Sequence, residues 1–371
     1  MKFSPHLAYK PALTFSFILS VTAPTASLYA YPDLIRKGYT SCSTCHVSPS
    51  GGGALTSYGR GFSGELSTFT YEGAGAFAGV PFLETWRDPT GLFTAMAGDL
   101  QVDWRSVNFR ADVPGLEPIV EAIPMQLSAE AVIHLGKTTD LVGGYGQYGK
   151  DGSLESRVHY LQVRTSKYLQ FRAGRFLANY GLNLDDHTAF TRSTTGFAQG
   201  GESVNLEAHF ESESATVTLT RILGRELNIV ENNKQWTFAS WEKEAFAARS
   251  TLKFGPRHYV GVNAYQDHGM SMVGGFAGSS PIKDWLYFLV ELDQITTDTL
   301  AQRLFFLRIG SEFFRGMVLD IDTSIRQQES ETTSRYAASL QLMPIPHTEF
   351  RLEGRVEGEV RTILLMSHLW L

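Results

Sequence analysis

Residues 349–356 read Glu349-Phe350-Arg351-Leu352-Glu353-Gly354-Arg355-Val356. Phe350, Leu352, Gly354 and Val356 fall on one face of an extended chain, and Glu349, Arg351, Glu353 and Arg355 fall on the other. An extended chain sends successive side chains to opposite sides, so this octet has one apolar and one fully charged surface. The same rhythm recurs upstream. In 126–135, Leu127, Ala129, Ala131, Ile133 and Leu135 alternate with Gln126, Ser128, Glu130, Val132 and His134. In 203–210, Val204, Leu206, Ala208 and Phe210 alternate with Ser203, Asn205, Glu207 and His209. In 246–254, Phe246, Ala248, Leu252 and Phe254 oppose Arg249, Thr251 and Lys253. A wall with lipid outside and water inside requires this pattern, although a soluble sandwich also alternates.

Connection lengths separate the two. Strands are expected near 92–105, 123–135, 139–149, 155–165, 167–177, 202–212, 214–222, 245–254, 258–266, 272–279, 284–293, 301–310, 313–323, 334–343, 347–356 and 361–371. Long gaps (106–122, 178–201, 223–244) follow odd-numbered strands, and short ones (136–138, 255–257, 344–346) follow even-numbered strands. Long loops at one rim and tight turns at the other are the habit of outer-membrane barrels. The Gly-rich segments 139–149 and 272–279 are the weakest strands, which leaves fourteen as the alternative to sixteen. The fold class is therefore all-β: an antiparallel transmembrane barrel of about sixteen strands. The chain ends inside the last strand at Leu369-Trp370-Leu371, where Leu364 and Met366 share a face with His368.

Composition agrees. The 371 residues are 43% hydrophobic and 19% charged, with 35 Gly and 12% aromatics, which excludes a disordered chain. The net charge of −6 argues against nucleic acid as partner. A mean hydropathy of −0.12, with no long apolar run, excludes a bundle of membrane helices and leaves a barrel open.

The N-terminus has the pattern of an export signal. Lys2 and Lys10 precede an apolar stretch from Leu13 to Val21, and small residues lead to a cleavage point at Ala30. Three regions follow: a signal peptide over 1–30, a segment over 31–90, and the barrel over 91–371. With an even strand number both barrel ends face the periplasm. Residues 61–90 then either fold back as a short plug or link the segment to the first strand.

Both cysteines lie in Cys42-Ser43-Thr44-Cys45-His46. C-x-x-C-H is the attachment pattern of a c-type haem: two thiols reach the two vinyl groups and the adjacent histidine binds the iron. A redox C-x-x-C would sit in a βαβ context that is missing here, and a structural zinc site would need further ligands. A plain disulfide remains as an alternative. Downstream, Gly51-Gly52-Gly53 would let the backbone pass close to a flat macrocycle. Leu55 and Phe62 could pack on its edge, and Arg60 could pair with a propionate or be merely solvated. The sixth iron ligand is not local, since the next histidine after His46 is His134 and the next methionine is Met96. His134 and His209, on the polar faces of their strands, are candidates. Asp185-Asp186-His187, in the loop expected to be extracellular, could hold Fe(II) transiently or be a solvated acidic loop.

An exported chain with one C-x-x-C-H, then Leu55, Tyr58-Gly59-Arg60 and Phe62, then a porin-like barrel, resembles the fused monohaem cytochrome c–porin family. The specific match covers about residues 31–62. The resemblance implies one covalent haem c on Cys42, Cys45 and His46, and electron transfer across the outer membrane between an extracellular donor such as Fe(II) and a periplasmic cytochrome or other carrier. A passive or gated porin whose N-terminal segment is a plug is the alternative.

Overall fold

The computed structural model describes residues 32–69, 86–87, 96–149, 154–224, 226–231, 234–239 and 244–370. The expected signal peptide and most of 70–95 lie outside them. Sixteen antiparallel strands close into a barrel. They are β1 Met96–Asp112, β2 Ile119–Leu135, β3 Thr139–Tyr148, β4 Leu154–Arg164, β5 Leu169–Phe176 and β6 Ser203–Glu211. Then come β7 Ala215–Gly224, β8 Ala245–Lys253, β9 His258–Gln266, β10 Met270–Ile282 and β11 Leu286–Thr297. The wall ends with β12 Ala301–Phe314, β13 Met317–Gln328, β14 Glu331–Leu342, β15 Thr348–Glu357 and β16 Val360–Trp370. Each strand pairs with the next. The ring is closed by β16 on β1, in register from Arg361 opposite Asp112 to Trp370 opposite Asp103. Closure leaves none of these sixteen strands with an unpaired edge, which the hydrocarbon interior demands; a two-stranded sheet of 226–231 and 234–239 stands outside the ring. The two Gly-rich strands are both present, because each is templated by ladders on either side.

Alternation maps onto the wall as the sequence implies. Leu127, Leu206, Leu219, Phe246, Val262, Leu292, Ile321 and Leu352 point outward and are exposed, while Glu207, Arg308, Asp320, Arg351 and Glu353 point inward and are buried. One expectation is corrected here. The connection after β1 is not a loop over 106–122 but a six-residue turn over 113–118. Past a bulge at Arg105/Ser106 the polarity reverses. Val107 and Phe109 turn inward against Ile123 and Met125, and the partly buried Leu364 and Met366 join them. Asn108 and Arg110 face out, with Arg110 paired to Asp112 at 2.9 Å in an exposed position. That inversion also explains the poor alternation of the last strand, whose Leu364 and Met366 fill this lumenal apolar patch.

The lumen is filled from both ends. Residues 32–69 enter from the rim of tight turns. The loop over 177–202 enters from the opposite rim and carries a single helical turn, Phe190–Ser193. The two meet in a buried cluster of Ile35 with Leu182, Leu184 and Ala189, packed on Tyr259, Phe276, Tyr287, Leu289, Phe306 and Val318 of the wall. The Asn183 amide donates to the Ser50 carbonyl at 2.7 Å, a direct bond between the two insertions.

Val262 sits mid-strand on β9 and is 64% exposed on the outer face. A Val262→Arg substitution is expected to cost about 2–4 kcal/mol of barrel stability. Reversible denaturant titration in lipid vesicles checks this, and Thr296→Arg near a strand end should cost far less.

Candidate functional site

The C-x-x-C-H motif lies on a tight 3-10 turn, Cys42–Thr44, inside the short-turn end of the lumen. The His46 amide donates to the Cys42 carbonyl at 3.0 Å, which folds the five residues into one compact turn. The chain then doubles back. Val47 donates to the Ala54 carbonyl at 3.0 Å and Thr56 to the Cys45 carbonyl at 2.9 Å. Gly51, Gly52 and Gly53 make this reversal with φ of 80°, 72° and 61°, a left-handed run that L side chains avoid.

Helix α1, Ser57–Leu66, follows at once. Thr56 caps it, its hydroxyl accepting from the Gly59 amide at 3.1 Å. Gly59 has a steric reason to be glycine: a Cβ there would stand 2.2 Å from the Cys45 carbonyl oxygen. The helix therefore lies directly on the motif's backbone. Phe62 is buried, with its ring centroid 4.8 Å from that of Tyr39.

The His46 ring faces two ways. Its Nδ1 lies 3.1 Å from the Gly52 carbonyl, which fits a donated N–H and leaves Nε2 as the nitrogen with a lone pair. Burial pushes its pKa down to about 4, so the imidazole is neutral at physiological pH. Burial raises both thiols, Cys45 to about 11 with Cys42 beside it adding to the shift, so both are protonated and neither is an activated nucleophile. The two sulfurs are free thiols, not a disulfide. A cleft lined by Tyr39, Cys42, Cys45, His46, Leu182 and Tyr259 lies on one side. On the other a cavity of about 690 Å³ is lined by Ser43, His46, Arg60, His134, Arg164 and Glu211, among others.

The barrel wall holds this segment through bonds the sequence did not reveal. Glu130 accepts from the Ala54 amide at 2.9 Å and Gln101 from the Leu55 amide at 3.0 Å. Arg172 donates to the Ser48 and Ser50 hydroxyls at 2.8 and 2.7 Å, and is ion-paired to Glu207 at 2.6 Å. Gln162 donates to the Val47 carbonyl at 3.2 Å, and Ser43 donates to Glu211. Arg36, itself in the segment, is buried between Asp33 and Glu312, the latter at 2.6 Å. Alternation places Glu130 and Glu207 on the polar faces of their strands and assigns no face to the other wall residues. Only the closed ring shows which of them meet the inserted segment.

The other sequence candidates are placed as follows. Arg60 lines the cavity beside His46, donating to the Leu55 carbonyl at 2.8 Å and pairing with Asp99 at 3.0 Å. It is thus paired, though its side chain stays partly exposed. His134 lines the same cavity, but Asp140 holds its Nδ1 at 2.7 Å and Asp99 its Nε2 at 3.1 Å. His209 is buried on the wall, with Nδ1 2.8 Å from the Thr218 hydroxyl, and does not line the cavity. The acidic loop is corrected outright. Asp185 and Asp186 are not solvated and do not form an open carboxylate site. They are buried in the lumen, Asp185 paired with Arg308 and Arg351 and Asp186 with Arg335 and Arg355. Burial alone would raise the Asp185 carboxyl, but the Arg351 and Arg308 guanidinium groups outweigh it and hold it below the usual range. The arginines that capture this loop come from β12, β14 and β15, more than a hundred residues away, so nothing local announces the capture.

No family model matches the chain and no curated protein matches it. Solved structures do. The outer-membrane channel DcaP of Acinetobacter baumannii has a TM-score of 0.53 at 9% identity, over 78% of this chain and 100% of that one. The anion-selective porin of Comamonas acidovorans has 0.56 at 8%, over 74% and 100%. OprB of Pseudomonas putida has 0.60 at 6%, over 74% and 94%. This is the porin fold of the bacterial outer membrane. Identities this low carry the architecture alone.

Gly59→Ala overpacks α1 against Cys45, a change that costs about 1–3 kcal/mol. In protein made without haem-attachment machinery, Cys45 should then react with a maleimide about tenfold faster than in the parent chain, read by mass spectrometry.

Proposed function

We propose that this porin-like barrel is closed by a plug that carries one covalent haem c and serves electron transfer across the outer membrane. The supporting observation is the position of Cys42-Ser43-Thr44-Cys45-His46: inside the lumen, bonded to the wall on several sides, with His46 Nδ1 on the Gly52 carbonyl. The residues present fit such a group. Two thiols three residues apart lie on one turn and line a small cleft with His46, and His46 also borders the cavity of about 690 Å³, which is within the range of cofactor sites. Cys42 and Cys45 would hold the macrocycle through thioethers and His46 would be its proximal ligand. When bound, a haem supplies a one-electron centre whose potential follows its axial ligand and surroundings.

The chain's own residues do the rest. The Gly52 carbonyl fixes the His46 tautomer and orientation. Arg60 stands at the cavity edge as the cation available to a propionate, at present shared with Asp99. The two insertions fill the lumen, which favours movement of electrons over bulk flow of solute. On this reading the donor is extracellular, Fe(II) being one candidate, and the acceptor is a periplasmic cytochrome or other carrier.

The likeness to solute channels favours a second reading: a gated porin in which residues 32–69 are a movable plug and no haem is needed. A pyridine haemochrome assay on detergent-extracted membranes, from a host with haem-attachment machinery, separates the two. One covalent haem per chain is expected, and its absence sinks the proposal. His46→Ala should abolish haem-dependent electron transfer while the barrel still inserts, read by heat-modifiable migration. In planar bilayers the parent chain should conduct poorly and a chain lacking 32–69 should conduct well. Free conductance by the parent chain would favour the gated porin.

A further inference from the structure

Among the described turns, the two rims of the barrel carry opposite charge. At the plug end the tight turns over 136–138, 165–168, 254–257, 283–285 and 315–316 carry Lys137, Lys167, Arg257, Lys283 and Arg315. Against these the turns at that end hold only Glu213 and Asp284, and Asp284 is already paired with Lys37 at 3.3 Å. At the far end the described turns over 113–118, 267–269, 298–300, 329–330 and 358–359 carry Glu117, Asp267, Asp298, Glu329 and Glu359, with no Lys or Arg. A chain of net charge −6 therefore presents a basic rim around its plug.

The cations gather at the mouth of the lumen. Arg315 reaches over the plug, donating to the Gly64 and Glu65 carbonyls at 2.6 and 3.0 Å. Lys37, on the plug itself, pairs with Glu312 at 3.0 Å. Lys167 lines the outer part of the cavity that reaches His46, where Arg164 is paired with Asp140 and Arg60 with Asp99. A ring that served only the surrounding lipid would have no need to converge on the plug.

We propose that this basic mouth is the docking surface for a soluble redox protein with an acidic face, drawn to the end where the His46 cavity opens. The inference rests on the electron-transfer reading and names the partner's chemistry. Complementary charge steers encounter and orients the partner over the mouth, and it raises association rates by about 10–1,000-fold at low salt. The described turns of the far rim, being acidic, repel the same partner and make docking one-sided.

The test uses full-length protein in nanodiscs and, as probes, an acidic soluble c-type cytochrome and a basic mitochondrial-type cytochrome c. Association is read by biolayer interferometry, which needs no haem on this chain. The acidic probe should bind the parent chain better than the basic one. Its on-rate should fall about tenfold as salt rises through the range where the screening length drops below about 10 Å. The triple variant Lys137→Glu, Arg257→Glu, Lys283→Glu avoids the cavity-lining residues. It should slow the acidic probe about tenfold or more and favour the basic one. Equal binding of the two probes, or no effect of the reversal, overturns the proposal. So does a reversal that changes only stability in anionic-lipid nanodiscs, since the rim would then serve lipid headgroups. A haemochrome assay on the parent chain keeps the two questions apart: no covalent haem there, with charge-dependent docking retained, refutes electron transfer and leaves the surface standing, and His46→Ala should dock as the parent does.

Discussion

Charge pairing across the lumen is the interaction on which the rest of this molecule depends. A barrel with lipid outside turns its carboxylates and guanidinium groups inward, where removing water from them is costly unless each finds a partner. Here the partners come largely from the chain itself. Asp185 and Asp186 on one inserted loop take up Arg308, Arg351, Arg335 and Arg355 of the wall. Arg36 on the plug meets Glu312 of β12, and Arg192 on the loop meets Glu291 of β11 at 2.7 Å. Such pairs add little net stability over an apolar core, but breaking one leaves a buried charge at a cost of about 3–5 kcal/mol. They therefore act chiefly by specifying where each insertion sits.

That placement decides what the C-x-x-C-H turn can do. Outside the barrel it would be a tethered loop at one face of the membrane. Inside, it is fixed by Glu130, Gln101, Arg172 and Gln162, so its neighbours are constant and it is reached through the cleft at its cysteines and the cavity beside His46. The glycine run lets the backbone reverse within a few residues, and Gly59 lets the capped helix press on Cys45. Local conformational freedom and long-range pairing thus converge on the same five residues.

The same division governs how the molecule meets its surroundings. The outer face is set by lipid and is apolar at mid-strand, with its exposed charged pairs, such as Arg110–Asp112 and Arg221–Glu244, near strand ends. The described turns at the rims, free of that constraint, differ in sign, and the basic ones surround the plug. A one-sided field of this kind orients whatever approaches, independently of any contact inside the lumen.

Sixteen strands, their alternation and the tight turns after even-numbered strands were legible from the sequence, because period-2 polarity and turn chemistry are local properties. The C-x-x-C-H pattern was legible for the same reason: Cys42, Cys45 and His46 are near neighbours in sequence. Where polarity inverted above the Arg105 bulge, the same rule ended β1 seven residues early, since Val107 and Phe109 face an apolar patch inside the lumen. The fate of Asp185-Asp186-His187 was not legible at all. An acidic loop has the same composition whether it meets water or four arginines, and those arginines lie on strands that only closure of the ring brings opposite. Sequence by itself determined the wall and the motif; tertiary structure decided that the motif lies inside the wall, because burial and ion pairing depend on distances that sequence separation does not encode.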